Sequence, residues 1–256
     1  MNEANDNGVY YTSLYKYGNE FLLNALWEGE IKLANALDLN DPFEFFPYPE
    51  FSNEDERDKY EDMFSKSFQK RSSENYYILS LSRLENNNRM WAQYGNNHKG
   101  VMIEFCFPEE GCCLSVFDKN NPVYFRDVDT TGNSRYTIDF HEFMNEKDDV
   151  NLTEIVVPCF FKKSPDWKEE KEVRLVLPET FFRDKDFKVY SRLRILNGRL
   201  TRFLPFNHAW VKSVTVGYKS DPSIYYDLLK IKKFRQASWN IYKLERDSKT
   251  FSLISK

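Results

Sequence analysis

The stretch that most constrains the fold is residues 76–107, YYILSLSRLENNNRMWAQYGNNHKGVMIEFCF. Its first seven residues alternate bulky apolar with small polar side chains, which is the period-2 pattern of a half-buried strand. The asparagines at 86–88 favour a helix N-cap, because their side chains accept backbone N–H groups of the first turn. Gly95 suits the left-handed position just past a helix end. Because residues 101–107 resume the strand pattern, we predict a strand, a short helix and a second strand.

This stretch also concentrates polar and aromatic side chains. Ser80 and Ser82 share one face of the first predicted strand, and Trp91 and Tyr94 share one face of the helix. His98 follows in a turn. If the two strands pair, these side chains lie close together and form one wall of a functional site. The alternative is ordinary scaffold: serines that bind nearby backbone, aromatic side chains in a core and a histidine on the surface.

The rest of the chain alternates between strand-like and helix-like segments, with no internal repeat and no linker composition. Strand patterns occupy residues 9–17, 31–36, 154–162, 169–177, 187–195, 211–217 and 239–245, and helical patterns occupy residues 20–28, 52–70, 138–146 and 223–233. We therefore predict a single α+β domain over residues 1–256, with a mixed, mainly antiparallel sheet flanked by helices. Residues 1–8 are expected to be a disordered tip.

Composition narrows the possible kinds of site. Only nine glycines are present and no Walker or Rossmann motif occurs, which argues against a glycine-rich phosphate loop. The four cysteines, at 106, 112, 113 and 159, have no C-x-x-C spacing, and the three histidines are scattered, so no metal site is expected. No apolar run is long enough to cross a membrane, and the acidic first residues are unlike a signal peptide. We expect a cytoplasmic protein with reduced thiols and no membrane partner.

Charge is distributed unevenly along the chain. Residues 1–150 contain 14 Lys and Arg against 28 Asp and Glu, a net charge of −14, and residues 151–256 contain 22 against 12, a net of +10. The basic side chains of the second half include Arg192, Arg194, Arg199, Arg202, Lys230, Lys232, Lys233 and Arg235. This half either binds a nucleic-acid or acidic protein partner or is attracted to the acidic half of its own chain. Charge alone predicts no oligomeric state.

The strongest candidate for chemistry is Glu170-x-Glu172-x-Arg174, which a strand would place on one face. Like charges this close raise each other's pKa, and Arg174 would relieve them through a bidentate pair. Such a group orients a ribose hydroxyl or acts as a general base, and a salt-bridged strand face is the alternative. Glu169-x-Lys171 also fits the tail of a metal-dependent nuclease signature, although no upstream acidic residue is well placed.

Several further motifs follow one another in a specific order. They are LYKY at 14–17, LNDPFE at 39–44, the serines at 80 and 82 followed by MWAQY at 90–94, HKG at 98–100, and residues 163–174 with Trp167. Asp41 and Glu44 are expected to hold their own turn, since Asp side chains bond nearby backbone. The combination resembles the bacterial domain-of-unknown-function family 2971 over roughly residues 12–220. That resemblance implies no particular reaction.

The order of three of these motifs also resembles the ADP-ribosyltransferase fold. That fold combines a polar or aromatic residue on a first strand, a serine or tyrosine on a second, and a glutamate on a late strand. This sequence lacks the Arg or His of the first motif and the middle Thr of the second. The resemblance implies that NAD is a substrate and that a glutamate stabilises the positive charge that develops as nicotinamide leaves. It assigns Glu172, Glu170 and Arg174 to catalysis, and Tyr15, Lys16, Tyr17, Ser80, Ser82, Trp91, Tyr94 and His98 to NAD binding.

The first functional hypothesis is therefore an NAD-consuming transferase that modifies a nucleic acid or a protein, as a toxin or phage-defence effector does. The second is a non-catalytic binding module whose acidic and basic faces recognise partners. A metal-dependent nuclease is the third. The first hypothesis further predicts that Ser80, Tyr94 and Glu172 lie around one cleft.

Overall fold

The computed structural model describes residues 3–4, 10–41, 43–108, 124–183, 192–196, 198–250 and 252–256. The strands in these residues are β1 (Glu3–Ala4), β2 (Tyr10–Gly18), β3 (Glu30–Lys32), β4 (Ala34–Asn35), β5 (Tyr48–Glu50), β6 (Tyr76–Ser82), β7 (Val101–Pro108), β8 (Tyr124–Asp127), β9 (Thr137–Asp139), β10 (Glu172–Pro178), β11 (Arg192–Leu196), β12 (Arg199–Pro205), β13 (Val211–Val216), β14 (Asn240–Arg246) and β15 (Leu253–Ser255). The helices are α1 (Leu22–Glu28), α2 (Glu54–Asn75), α3 (Asn88–Gln93), α4 (Phe140–Asn145), α5 (Asp149–Val156), α6 (Glu179–Arg183) and α7 (Pro222–Arg235). Short 3-10 helices occupy Ala36–Asp38, Val157–Phe161, Pro165–Glu170 and His208–Trp210.

The chain divides into two compact units. Unit 1 contains residues 1–32, 80–116 and 203–256, and unit 2 contains residues 33–79 and 117–202. Of the predicted disordered tip, Glu3–Ala4 falls within the described residues and pairs with Tyr10 and Tyr11 as β1. Cys112 and Cys113 lie outside the described residues.

Unit 1 is built on the strand order β15-β14-β13-β7-β2. Strands β2 and β7 pair antiparallel from Tyr11 opposite Pro108 to Gly18 opposite Val101. Strand β13 is antiparallel to β7 and parallel to β14. On the other edge of β2, Tyr15 pairs with Ser82 of β6. This arrangement places the middle of the first predicted strand between the two strands of the 76–107 stretch.

Helix α3 supplies the aromatic core of unit 1. Its N-cap is Asn87, whose side chain accepts the backbone N–H groups of Arg89 and Met90, so the predicted asparagine cap is confirmed. Trp91 is completely buried, and its ring meets that of Tyr17 edge to face with 5.4 Å between centroids. The helix is therefore fixed to β2 by ring packing.

The predicted left-handed role of Gly95 is wrong. Positive φ angles occur instead at Asn96, Asn97 and His98, which follow it. Glycine is required at position 95 because a Cβ atom would lie 2.6 Å from the ring of Trp91 and 2.8 Å from its carbonyl oxygen.

Unit 2 combines strands with a phenylalanine-rich helical core. Strand β10 pairs antiparallel with β8, β4 pairs antiparallel with β6, and β5 pairs parallel with β9. Helix α2 begins after Asn53, whose side chain accepts the N–H of Glu56, so the helix starts two residues later than the pattern over residues 52–70 predicted. Phe64 and Phe68 of α2 pack on Phe143 of α4 at 5.2 and 5.5 Å between centroids. The predicted α+β class with mixed, mainly antiparallel pairing is confirmed.

The predicted strand at 154–162 is wrong. These residues form the end of α5 and the 3-10 helix Val157–Phe161. A short apolar run fits a buried helix as well as a strand, and Pro158 near the start of the 3-10 helix needs no N–H donor there. Within the described ranges, no helix is both long and apolar enough to cross a membrane.

The burial of Trp91 predicts a large effect on stability. Trp91→Ala should lower the free energy of unfolding by about 3–5 kcal/mol, because a completely buried ring is replaced by a cavity. Denaturant titration followed by circular dichroism measures this loss. Trp27, which is 42% exposed, is the control, and Trp27→Ala should cost far less. An equal loss in both variants would contradict a core role for Trp91.

Candidate active site

Five charged side chains form a buried group in unit 2: Glu44, Lys163, Glu170, Glu172 and Arg174. We name this group the charge cluster. The side chains of Glu44 and Arg174 are 1% exposed and that of Lys163 is 3% exposed, whereas Glu172 and Glu170 retain 9% and 10%. The two glutamates assigned to catalysis are thus the more accessible members of a group that is otherwise closed to solvent.

The LNDPFE segment positions Glu44. Asp41 shapes the turn, since its Oδ1 accepts the N–H of Phe43 at 2.9 Å and its carbonyl oxygen accepts the N–H of Glu44 at 3.1 Å. Phe45 then adopts a left-handed backbone with φ 54°, which is rare for a bulky side chain. Its ring packs 4.3 Å from that of Phe160. The turn sends Glu44 inward to Arg174, so this residue does more than hold its own turn as predicted.

Glu170 and Glu172 reach the cluster from different elements. Glu170 ends the 3-10 helix Pro165–Glu170, and Glu172 begins β10, so the predicted placement of both on one strand is wrong. Lys171 between them has φ 44° and is the left-handed C-cap that ends the 3-10 helix before β10 begins. Both carboxylates consequently meet Lys163, whose Nζ lies 2.8 Å from Glu170 Oε2 and 3.1 Å from Glu172 Oε2. The Lys163 ammonium also lies 4.5 Å from the ring centroid of Trp167.

Arg174 connects the cluster. Its Nε and Nη2 donate to Glu172 Oε1 and Oε2 at 2.6 and 2.9 Å, which is the bidentate pair expected from the sequence. Its Nη1 donates to the carbonyl oxygen of Phe160 at 2.8 Å, and its Nη2 also contacts Glu44 Oε1. The guanidinium therefore joins β10, the LNDPFE turn and the 3-10 helix Val157–Phe161.

The cluster holds three carboxyl groups against two cations, a formal charge of −1 when all are ionised. Burial raises the pKa of Glu44 above its ordinary value of 4.5, and this effect exceeds the opposing effects of Arg174 and Lys163. Glu44 Oε2 is buried and has no hydrogen-bond partner within the described residues. Burial lowers the pKa of Lys163, but Glu172, Glu44 and Glu170 outweigh it, so the pKa is raised and the ammonium stays charged. A proton on Glu44 makes the cluster neutral.

A cleft of about 330 Å³ opens in unit 2 and has Lys163 in its wall. We name it the unit 2 cleft. Its described lining consists of Phe43, Phe45, Phe46, Pro47, Gly132, Asn133, Ser134, Arg135, Tyr136, Cys159, Lys162, Lys163, Ser164 and Pro165. Aromatic and cationic side chains dominate this lining, and none of the described lining residues is acidic.

The residues assigned to NAD binding all lie in unit 1. Lys16 Nζ donates to the carbonyl oxygen of Ser80 at 2.9 Å, and the hydroxyl of Tyr17 donates to that of Leu84 at 2.7 Å. Ser82 is buried, and its hydroxyl accepts the N–H of Leu84 at 3.0 Å. Lys16, Tyr17 and Ser82 therefore bind other parts of the protein. Their proposed role in NAD binding stays a prediction.

Three further members of that set lie on or just after α3. Trp91 is buried and Tyr94 packs partly buried against the same core. The backbone N–H of His98 donates to the carbonyl oxygen of Trp91 at 3.1 Å, and its ring meets Tyr218 at 5.0 Å between centroids. Burial lowers the pKa of His98, which favours a neutral imidazole. Because Glu172 belongs to unit 2, a cleft shared with Ser80 and Tyr94 stays a prediction.

Sequence reasoning overlooked a buried carboxylate in unit 1. Glu104 lies opposite Tyr15 in the β2–β7 pairing and is 8% exposed. Its two oxygens accept the hydroxyls of Ser13 at 2.9 Å and Ser213 at 2.7 Å. Burial, together with Glu104, raises the pKa of Tyr15. The signal was a single acidic residue inside the apolar strand VMIEFCF. Lys163 and Glu44 gave no such local signal.

No metal site emerges from the described residues, since they contain no group of three or more His, Cys, Asp or Glu that could hold an ion. The three carboxylates of the charge cluster instead form ion pairs with Lys163 and Arg174. The arrangement can hold a carboxylate in a fixed, ionised state, and it can accept a proton at Glu44.

The raised pKa of Glu44 predicts a pH-dependent stability. Between pH 4.5 and the higher pKa of the folded state, folded Glu44 keeps a proton that the unfolded chain releases, so its contribution to stability falls as pH rises. Glu44→Gln removes this group, and the wild-type minus variant difference in unfolding free energy should therefore fall with rising pH. Denaturant titrations from pH 4 to 8 measure it, with the exposed Glu54→Gln as control. A difference that rises with pH would show that Arg174 keeps Glu44 ionised.

Comparison with known proteins supports part of the expected resemblance. The model of the family of proteins of unknown function DUF2971 matches residues 90–175, which are 86 of the 256 residues. A search among curated proteins finds no significant match. The solved structure of Thermus sp. 2.9 DarT in complex with ADP-ribosylated ssDNA is similar at 12% identity and a TM-score of 0.35, covering 94% of this chain and 96% of that chain. This TM-score is too low to carry an argument about function. The resemblance to DUF2971 is thus confirmed over residues 90–175, from α3 through the first half of β10.

Proposed function

We propose that this protein is an NAD-consuming transferase of the ADP-ribosyltransferase type, with Glu172 as the catalytic carboxylate. The observation that carries the proposal is the state of Glu172 in the charge cluster. Both of its oxygens accept hydrogen bonds from Arg174, and one also contacts Lys163. A carboxylate with these partners is fixed in orientation, and two cations lie against its oxygens.

A fixed negative charge suits the proposed reaction. Cleavage of the bond between nicotinamide and ribose develops positive charge on the ribose, and a preorganised carboxylate stabilises that charge without reorganising. Glu172 is 9% exposed, whereas Arg174 behind it is 1% exposed. The Glu172 carboxylate is thus held by Arg174 on its buried side, and its other side is accessible to a substrate.

Glu170 and Trp167 complete the proposed catalytic group. Glu170 pairs with Lys163 at 2.8 Å and its side chain is 10% exposed, so its carboxylate is proposed to accept a ribose hydroxyl. Trp167 covers the Lys163 ammonium and limits the access of water to the ion pairs. Arg174 acts as a positioning residue, since it is buried and reaches a substrate only through Glu172.

NAD binding is proposed for the set in unit 1: Tyr15, Lys16, Tyr17, Ser80, Ser82, Trp91, Tyr94 and His98. Tyr15 and Tyr94 are partly buried, which leaves part of each ring available for stacking on a planar group. Trp91 is completely buried, so its contribution is to support Tyr17 rather than to contact a ligand.

A nucleic-acid or protein target is proposed at basic side chains of the second half. Arg202 does not belong to this surface, because it is buried and pairs with Glu179 between the rings of Tyr77 and Phe182. Lys233 is exposed near the end of α7, beside Phe234, which is 61% exposed. The ring of Phe234 stacks on Trp27 at 4.6 Å and 10° between planes. Cations next to accessible rings are typical of surfaces that bind single-stranded nucleic acid.

The same surface favours a second candidate function, a binding module without catalysis. Its exposed apolar members include Trp27 and Phe234, which stack on each other, and Tyr226 and Leu229 of the same helix α7 are also exposed. Exposed apolar patches mark interaction sites. In this alternative the charge cluster stabilises unit 2, and NAD is not turned over.

The proposal predicts that Glu172→Gln lowers NAD turnover by roughly 10²–10³-fold, because the variant keeps the shape of the side chain and loses its charge. Release of nicotinamide from NAD, with cell lysate as acceptor and with and without a chelator, measures turnover. The matched control is Glu169→Gln, which removes one charge from an exposed position of the 3-10 helix that precedes β10 and should leave turnover unchanged.

Three outcomes separate the candidate functions. If folded wild-type protein releases no nicotinamide, the binding module is the remaining function. If nicotinamide is released and Glu172→Gln does not reduce the rate, the catalytic carboxylate is another residue, and Glu170→Gln is the next variant to test. Activity on nucleic acid that requires a divalent metal and is lost in Lys171→Gln would favour a nuclease.

A basic target surface on α7 predicts a second effect. The double variant Lys232→Gln, Lys233→Gln should weaken binding of a single-stranded oligonucleotide equally for all sequences. The slope of log affinity against log salt should become shallower by about 0.7 for each phosphate that the variant no longer neutralises. Lys66→Gln, Lys70→Gln on α2 removes the same charge from another helix and is the control. Equal weakening by both double variants would indicate an effect of net charge alone.

A further inference from the structure

Of the three cations among the described lining residues of the unit 2 cleft, one has no internal counter-charge. Lys162 pairs with Asp129 at 2.8 Å, and Lys163 belongs to the charge cluster. Arg135, by contrast, makes no ion pair or hydrogen bond within the described residues. Its guanidinium lies 5.3 Å from the ring centroid of Phe46 and 5.7 Å from that of Tyr48. Stacking on two rings orients the guanidinium and leaves its N–H donors open to an anion.

Aromatic rings with open faces line the same cleft. Phe43 is 64% exposed and Tyr136 is 37% exposed. Such exposure is costly for phenylalanine, since apolar area in water is unfavourable by about 25 cal/mol per Å². Asn133 and Ser134 add side chains that both donate and accept hydrogen bonds. The lining thus offers a stacking surface, a guanidinium and polar groups side by side.

The backbone that forms this wall is strained. Phe45, next to Phe43, is held at φ 54° and packs between Phe160 and the Arg174 guanidinium. Strained positions persist where the surrounding structure fixes them, and they are concentrated at ligand sites. This turn keeps the Phe45 ring inside unit 2 and leaves the Phe43 ring outside.

We infer that the unit 2 cleft binds one nucleoside monophosphate unit, with the base against Phe43 and Tyr136 and the phosphate on Arg135. A guanidinium binds phosphate through two parallel hydrogen bonds, and bases of any sequence stack on aromatic rings. The volume of about 330 Å³ lies at the low end of ligand pockets, which span roughly 300–1,000 Å³. That size suits a single nucleotide. Since binding is measured without turnover, the inference is independent of the proposed enzyme activity.

Two sources can supply this unit: a free 5′-mononucleotide or one nucleotide of a single strand. Isothermal titration of the full chain with AMP, GMP, CMP and dTMP tests the first source, and a six-residue oligonucleotide tests the second. Adenosine and ribose 5-phosphate test whether both halves of the unit are required. We expect measurable binding of mononucleotide or oligonucleotide, and at least tenfold weaker binding of each half.

Variants at the two exposed contacts test the geometry. Arg135→Gln should weaken binding at least tenfold, since the phosphate loses a charged bidentate partner. Arg135→Lys should recover only part of the loss, because a lysine keeps the charge and lacks the planar fork. Phe43→Ala should weaken binding about five- to a hundredfold through loss of stacking. Arg57→Gln is the matched control: Arg57 also lies over the Tyr48 ring, at 5.5 Å, but does not line the cleft.

Unchanged far-ultraviolet circular dichroism and melting temperature confirm that these variants fold. The inference is overturned if neither ligand binds below millimolar concentration. It is also overturned if ribose 5-phosphate binds as well as AMP, or if Arg135→Gln and Arg57→Gln have equal effects. Loss of nicotinamide release in Glu172→Gln with intact mononucleotide binding supports both proposals separately.

Discussion

The buried guanidinium of Arg174 is the interaction on which the rest of unit 2 depends. Removing a charge from water costs several kcal/mol, and the attraction of buried partners offsets that cost only when each donor has an acceptor. Arg174 meets this condition through Glu172, Glu44 and the carbonyl oxygen of Phe160. Loss of one partner would leave a buried charge unpaired, at about 3–5 kcal/mol. The LNDPFE turn, β10 and the 3-10 helix after α5 are therefore held in one arrangement.

This constraint also explains how a strained turn and the proposed catalytic carboxylate depend on the same side chain. Phe45 adopts its left-handed backbone because Glu44 must reach Arg174 while the Phe45 ring packs on Phe160. The cost of that backbone is of order 1–3 kcal/mol, which the buried contacts of both side chains offset. Glu172 gains a fixed orientation from the same guanidinium. Stability and the proposed chemistry thus use the same ion pairs, so variants must be tested for folding as well as turnover.

The buried carboxylates of the two units have different hydrogen-bond partners. Glu104 in unit 1 accepts two neutral hydroxyls, has the Lys212 ammonium 3.4 Å from its Oε1, and lies within the pairing of β2, β7 and β13. Glu172 in unit 2 is satisfied by cations and lies at the start of its strand. Hydrogen bonds from charged donors are about twice as strong as neutral ones. Glu172 accepts two hydrogen bonds from one guanidinium and also contacts Lys163, so it has the more strongly charged set of donors, which supports its choice for the proposed catalytic role.

Local patterns in the sequence determined the elements that depend on near neighbours. Strand β6 matches its predicted bounds, α3 has the predicted asparagine cap, and Glu172 pairs with Arg174 two residues away. The apolar run after residue 154 was ambiguous, because both a strand and a helix can bury it. Only the tertiary structure brought Glu44 to Arg174, since these residues are 130 positions apart and no local period links them. The position of Arg135 over Phe46 was likewise decided by the chain path, because ring stacking depends on distance in space and not in sequence.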